Sequence, residues 1–211
     1  MGLLINKEIE DGCRIGLWEI TEDYETLFGM TYLNDEDIRL LNRYKSLNRK
    51  LETLSVRALL QQMTRRDARI VYHKKSHKPY MEDRSHNISV THSNKYTSVL
   101  LGKGKSVGVD LEYMSKNIER IAHKFINENE VITTNPLTRR KHLYLHWCAK
   151  EALYKICDNV DINFQNNFTI KPFNVEKQGY ITGIVQNDCR NEEYLMRYSL
   201  ENKYAWVYCI K

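Results

Sequence analysis

The sequence predicts an α+β fold in two halves, each with a main helix against a small antiparallel sheet. Helical spacing over 34–64 precedes a run of short β-rich segments, and the same order, helix then strands, recurs from about 138 to the C-terminus. No sequence repeat accompanies the recurrence, so the division rests on element order, with a boundary near 102–107. At 211 residues the chain can bury a sizeable core, as one domain or as two small halves.

The first helical stretch opens with Asn34, Asp35, Glu36 and Asp37, which suit a helix N-terminus, and continues as one long helix or two short ones. The runs ARIVYH (68–73), HNISVTH (86–92), KYTSVLLG (95–102) and VGVDLEY (107–113) read as a meander of strands, the last two forming a hairpin about the turn KGKS. SKNIERIAHKF (115–125) spaces Ile118, Ile121, Ala122 and Phe125 as a short amphipathic helix, and Pro136 separates it from a longer helix at about 138–158. The tail returns to strands, YLMRYSL and YAWVYCIK, joined at Glu201, Asn202 and Lys203.

With 42% hydrophobic and 28% charged residues, the composition is that of a soluble globular protein, and no stretch approaches the ~18 apolar residues of a membrane-spanning helix. The first residues carry acids early, with neither a basic region nor a long apolar one, so the expected location is the cytoplasm. Cys13, Cys148, Cys157, Cys189 and Cys209 are odd in number, without a CxxC, and read as reduced buried thiols. The net charge of +5 favours an acidic partner without choosing among nucleic acid, phosphorylated cofactor and protein.

Two segments carry chemistry. Strand alternation in VGVDLEY puts Gly108, Asp110 and Glu112 on one face, where two carboxylates repel unless a cation lies between them; a magnesium ion bound through oxygen would serve, with Gly108 admitting a ligand to the backbone. The alternative is a strand face that is merely polar. WCAKEALYK (147–155) gathers Ala149, Ala152, Leu153 and Ile156 on one helical face, and Trp147, Lys150, Glu151, Tyr154 and Lys155 on the other. Glu151 and Lys155 fit an i,i+4 surface pair, but a tryptophan among charges indicates a covered face. KKSHKPY (74–80) and ISVTHSN (88–94) are further phosphate candidates, or else a solvated loop and a structural histidine. His142 and His146 stand at i,i+4 without the glutamate of a zinc motif.

HKPY, ISVTHS, GVDLE and WCAKEALYK, in that order, resemble the 4′-phosphopantetheinyl transferases, specifically the longer pseudo-dimeric type that activates surfactin synthetase and similar carrier-protein systems. The resemblance covers about residues 49–172. It implies two similar α+β halves packed as a pseudo-dimer, 1–104 for the adenine and 3′-phosphate side of coenzyme A (CoA) and 105–211 for the metal and catalytic residues. It implies transfer of the phosphopantetheine arm of CoA to a serine of an acidic apo carrier protein, with release of 3′,5′-ADP, by a cytoplasmic monomer. Asp110, Glu112 and Glu151 would hold magnesium or manganese. Lys155 would contact phosphate and assist the leaving group, and Glu151 would help deprotonate the serine. Lys150 is a second candidate phosphate contact, and Lys78 and His92 would hold the adenine and 3′-phosphate end, with Thr91 and Ser93 near the phosphates. Arg49, Lys50 and Arg57 are basic residues from which a 3′-phosphate ligand is drawn, and Glu130 or Glu128 falls where the family has a glutamate. The family's Gly-Lys-Pro is His77, Lys78 and Pro79 here, and its Ser-His-Ser is Thr91, His92 and Ser93.

Two competing readings remain: a basic nucleic-acid-binding domain, which leaves the three acids without a role, and a CoA-binding homologue without turnover.

Overall fold

An Asp11-Gly12 turn, with Gly12 at φ +70°, folds β1 (Leu3–Glu10) back onto β2 (Cys13–Glu19). Asn34 and Asp37 form a reciprocal capping box that starts α2 (Asp35–Arg43), after a short α1 (Tyr24–Gly29). Tyr44 takes an extended conformation and ends α2, so the long helical stretch divides before α3 (Leu47–Thr64). A small pair, β3 (Ile70–Tyr72) and β4 (Pro79–Met81), precedes β5 (Asn87–Ser93) and β6 (Tyr96–Gly102). The sheet has the antiparallel order β1-β2-β6-β5, and α3 packs Leu54, Leu59 and Leu60 with Trp18, Val99 and Leu101.

The structure, a computed structural model, describes residues 2–64, 67–114, 117–157, 162–187, 190–201 and 203–211. It divides into two compact units, Met1–Lys105 and Ser106–Lys211, each of mixed α+β architecture. The expected hairpin about KGKS does not form. Both edges of β6 are already taken, by β2 and β5, and β7 (Val107–Tyr113) instead begins the sheet of the second unit.

In that unit a 3₁₀ turn over Ile118–Lys124 replaces the expected amphipathic helix. Asn135 caps α4 (Pro136–Ile156), with Pro136 in the first turn, where its missing N–H costs nothing. A four-residue α5 (Phe164–Asn167) leads into β8 (Phe168–Ile170), β9 (Gln178–Asn187), β10 (Arg190–Leu200) and β11 (Tyr204–Ile210). The antiparallel order is β7-β11-β10-β9-β8, and α4 lies across it through Ala149, Ala152 and Leu153. Cys13, Cys148, Cys157 and Cys209 are buried free thiols; Cys189 and Asn202 lie outside the described residues, as do Ser115, Lys116 and Asp158 of the expected helices. No helix among the described residues is long and apolar enough to cross a membrane.

His77, standing where the resemblance has glycine, keeps a glycine-like backbone at φ +53°. A side chain in the left-handed region costs roughly 1–2 kcal/mol. His77→Gly is therefore expected to stabilise the protein by about 1 kcal/mol, raising Tm by about 2–4 °C, as a thermal melt would record. An unchanged or lower Tm would mean that the imidazole holds the turn by its own contacts.

His142 and His146 are buried on α4 against Phe173. The Thr133 N–H donates to His142 Nδ1 at 3.1 Å, and His146 Nδ1 donates to the His142 carbonyl at 3.0 Å, while neither Nε2 has a hydrogen-bond partner among the described residues. Burial pushes the His146 pKa down to about 3 and lowers that of His142. Both bind a proton more readily when unfolded, so their contribution to stability is complete above about pH 6.5 and falls as pH is lowered through that value. Urea titrations at pH 7.0 and 5.5 should differ by on the order of 1 kcal/mol for His146, with His142 adding in the same direction and His146→Phe removing its share of the slope.

Candidate active site

In the second unit two residues of β7 meet side chains eight residues apart on α4, ~6.6 Å along the strand against ~12 Å along the helix, and the long Lys155 side chain closes the difference. At one end Trp147 Nε1–H donates to Glu112 Oε1 at 3.3 Å. At the other, Lys155 Nζ donates to Asp110 Oδ1 at 2.7 Å and to the Val109 carbonyl at 2.9 Å. Glu151 stands midway between Trp147 and Lys155. Gly108 is what permits this approach: a Cβ there would lie 2.1 Å from the Ala152 carbonyl oxygen. The glycine therefore makes room for α4 rather than for a ligand.

Glu151 is the electrostatic focus. Its pKa is pushed up to about 7, first by burial and then by the negative charges of Asp110 and Glu112, with Lys155 acting in the opposite sense. A surface salt bridge would leave it an ordinary carboxylate. Lys155 is drawn to Asp110 instead, and Trp147 packs edge-on to Phe125 at 5.2 Å and against Phe164 at 5.7 Å. The covered face inferred from the tryptophan is thus covered by the unit's own aromatic side chains.

Lys150 departs from its expected role. It is fully buried, and its three ammonium donors go to Glu130 Oε2 at 2.7 Å and to the Phe125 and Phe164 carbonyls, which leaves none for phosphate. Burial lowers its pKa, opposed by the charge of Glu130. Glu130 also accepts from Ile170 N and Asn127 N, while Glu128 is exposed, so the buried glutamate of this segment serves the lysine.

In the first unit, Arg49, Arg57, His92, Tyr44 and Tyr72 line a pocket of about 240 Å³. Arg49 NH1 donates to Glu52 Oε2 at 2.9 Å and lies 3.0 Å from His92 Nε2. Arg57 is buried, held by Asp37 through Nε at 3.0 Å and NH2 at 2.8 Å and by the Ile70 carbonyl. Its charge is answered within the protein. Lys50 lies over the Tyr24 ring and lines a different pocket. Pro79 reaches the Arg49 pocket, directly after Lys78 in the turn. The two-residue period of β5 sends Val90 and His92 toward that pocket and turns Thr91 and Ser93 to the opposite face, so hydroxyls and imidazole do not converge there. Sequence spacing missed Glu52 and Asp37 as partners of the arginines; Glu52, three residues after Arg49, was legible as a helical pair.

Asp110, Glu112, Glu151 and Lys155 are thus brought together where α4 packs on β7. Residues 106–209 match the model of the 4′-phosphopantetheinyl transferase superfamily. That match covers the second unit and supports phosphopantetheine transfer, for which the superfamily takes CoA as substrate and typically a divalent metal. No curated protein matches the chain.

Among the described residues no three His, Cys, Asp or Glu side chains are grouped closely enough to hold a metal as they stand. The donor chemistry nevertheless fits one. Burial first, and then the charges of Asp110 and Glu112, disfavour an ionised Glu151, and an all-oxygen set of this kind suits a hard divalent ion.

Proposed function

We propose that this chain transfers the 4′-phosphopantetheine arm of CoA to a serine hydroxyl of an apo carrier protein, releasing 3′,5′-ADP. The observation that carries the reading is Glu151: a half-buried carboxyl one helical turn from Lys155, on which burial and the charges of Asp110 and Glu112 act to push the pKa up to about 7. Attack on a pyrophosphate needs a base for the hydroxyl and positive charge for the leaving phosphate. Asp110, Glu112 and Glu151 are the residues that would hold magnesium, which when bound neutralises charge on the pyrophosphate oxygens.

The serine oxygen forms the new bond to the phosphorus that carries the pantetheine arm, and the bond from that phosphorus to the oxygen bridging toward adenosine breaks. Glu151 takes the serine proton, directly or through water. Lys155, oriented by Asp110 and the Val109 carbonyl, supplies charge to the departing phosphate. Arg49 and His92 of the first unit are assigned the 3′-phosphate, and Trp147 anchors Glu112. The net charge of +5 suits an acidic carrier, whose encounter would slow as salt rises.

The test is mass spectrometry of apo carrier proteins from fatty-acid, polyketide and peptide-synthetase systems, each incubated with CoA, magnesium and this protein. Gain of one phosphopantetheine arm on the carrier serine is expected, and it should vanish with EDTA. No gain on any of them would overturn the reading.

A further inference from the structure

Glu52 is a carboxylate placed where an incoming anion would go. Arg49 NH1 donates to Glu52 Oε2 at 2.9 Å, and His92 Nδ1 lies 3.5 Å from the same oxygen. Arg49 NH1 also lies 3.0 Å from His92 Nε2. The two basic groups thus already flank one negative oxygen. The arginine side chain is 54% exposed and open to exchange, whereas Glu52 is only 15% exposed and is fixed within α3 one turn away. The other arginine of the pocket is arranged differently, since Arg57 and Asp37 are both largely buried and form a lasting pair.

We propose that Glu52 is a built-in competitor for the phosphate group that Arg49 and His92 receive, and so determines the site's selectivity for ligand charge and the ease of product release. This rests on the assignment of the pocket to the 3′-phosphate under the proposed function. A phosphate arriving at Arg49 must share the guanidinium with Glu52, whose backbone is fixed on the same helix one turn away. Two like charges then face each other across Arg49, which weakens phosphate binding. A ligand without that phosphate leaves the pair undisturbed. The repulsion disfavours retention of 3′,5′-ADP, which keeps the phosphate after transfer, and its release is needed for the next turnover.

The experiment is calorimetric titration of the full chain with adenosine 3′,5′-bisphosphate and with adenosine 5′-monophosphate, at fixed salt. Glu52→Gln, which removes the charge and keeps the size, should bind the bisphosphate about tenfold more tightly, about 1.4 kcal/mol, and the monophosphate within about twofold of wild type. Glu52→Asp, which keeps the charge, should show no such gain, and Arg49→Ala should weaken the bisphosphate selectively. A gain in affinity for one ligand is not what a damaged fold produces. If Arg49→Ala weakens the bisphosphate and Glu52→Gln does not tighten it, Glu52 positions Arg49 instead of competing, and the proposal is overturned while the pocket assignment stands. If Arg49→Ala changes nothing, or wild type does not bind the bisphosphate, the pocket assignment and the proposal fall together.

Discussion

Glu151→Gln is expected to give a protein more stable at pH 8 than wild type and at least a hundredfold slower in phosphopantetheine transfer. Both effects come from one cause. The folded-state pKa of Glu151, about 7, lies above its ordinary value of 4.5. A carboxyl raised in this way contributes stability that is fully present below about pH 4.5 and is lost as pH rises through about 7. At pH 8 wild type therefore carries an ionised group that its surroundings disfavour, and the amide removes it. The catalytic loss follows because an amide is neither a base nor an adequate metal ligand; removing one preorganised electrostatic group typically costs ~2.7 kcal/mol or more, which is about a hundredfold. Thermal melts from pH 5 to 9 with and without magnesium give a readout independent of turnover. Magnesium should raise the wild-type Tm above pH 7, where Glu151 is ionised, and raise that of Glu151→Gln much less. A variant that turns over at near wild-type rate would remove Glu151 from the chemistry. A variant with unchanged stability at pH 8 would mean that the carboxylate is well solvated.

Much of this site is legible in the sequence, because it depends on two short periodicities. Alternation in VGVDLEY places Asp110 and Glu112 together, and the helical spacing of Trp147, Glu151 and Lys155 lines them up to meet those acids. What a helical wheel misjudges is Lys150. The wheel divides α4 into an inside and an outside, but α4 is covered on more than one side, by the sheet and by the segments that bear Phe125 and Phe164. A lysine assigned to the outer face is therefore enclosed. The hairpin about KGKS fails for a related reason: the turn signal at Gly104, φ +68°, is real, yet strand pairing depends on which edges are vacant. The β1–β2 hairpin had a local signal in Asp11-Gly12 that composition alone did not use. The links from His92 to Arg49 and from Arg57 to Asp37 join residues 43 and 20 positions apart, on different elements, and follow only from the tertiary fold.

Lys150→Met should be the most destabilising of the site variants, and it separates a structural lysine from a phosphate ligand. Lys150 and Glu130 form an ion pair with both side chains fully buried. Around it, Glu130 accepts from the Ile170 and Asn127 N–H groups, and Asn127 Nδ2 donates to the Phe168 carbonyl at 3.0 Å, so one buried network joins α4, the 125–130 segment and the start of β8. Removing one member leaves a buried carboxylate without its counter-charge and two carbonyls without a donor, a loss of ~3–5 kcal/mol. For a chain of this size the fall in Tm is on the order of 10 °C. Because the penalty is that of the stranded charge, Lys150→Met combined with Glu130→Gln should recover part of it, with the double variant more stable than the sum of the two single changes allows. Activity supplies the contrast. Where Lys150→Met remains folded, at low temperature, its KM for CoA should stay near wild type, since no donor of Lys150 is available to a phosphate. A well-folded Lys150→Met with an unchanged Tm and a KM raised tenfold would reverse the assignment and return Lys150 to the substrate. An additive double variant would leave the two residues as neighbours that do not act as a pair.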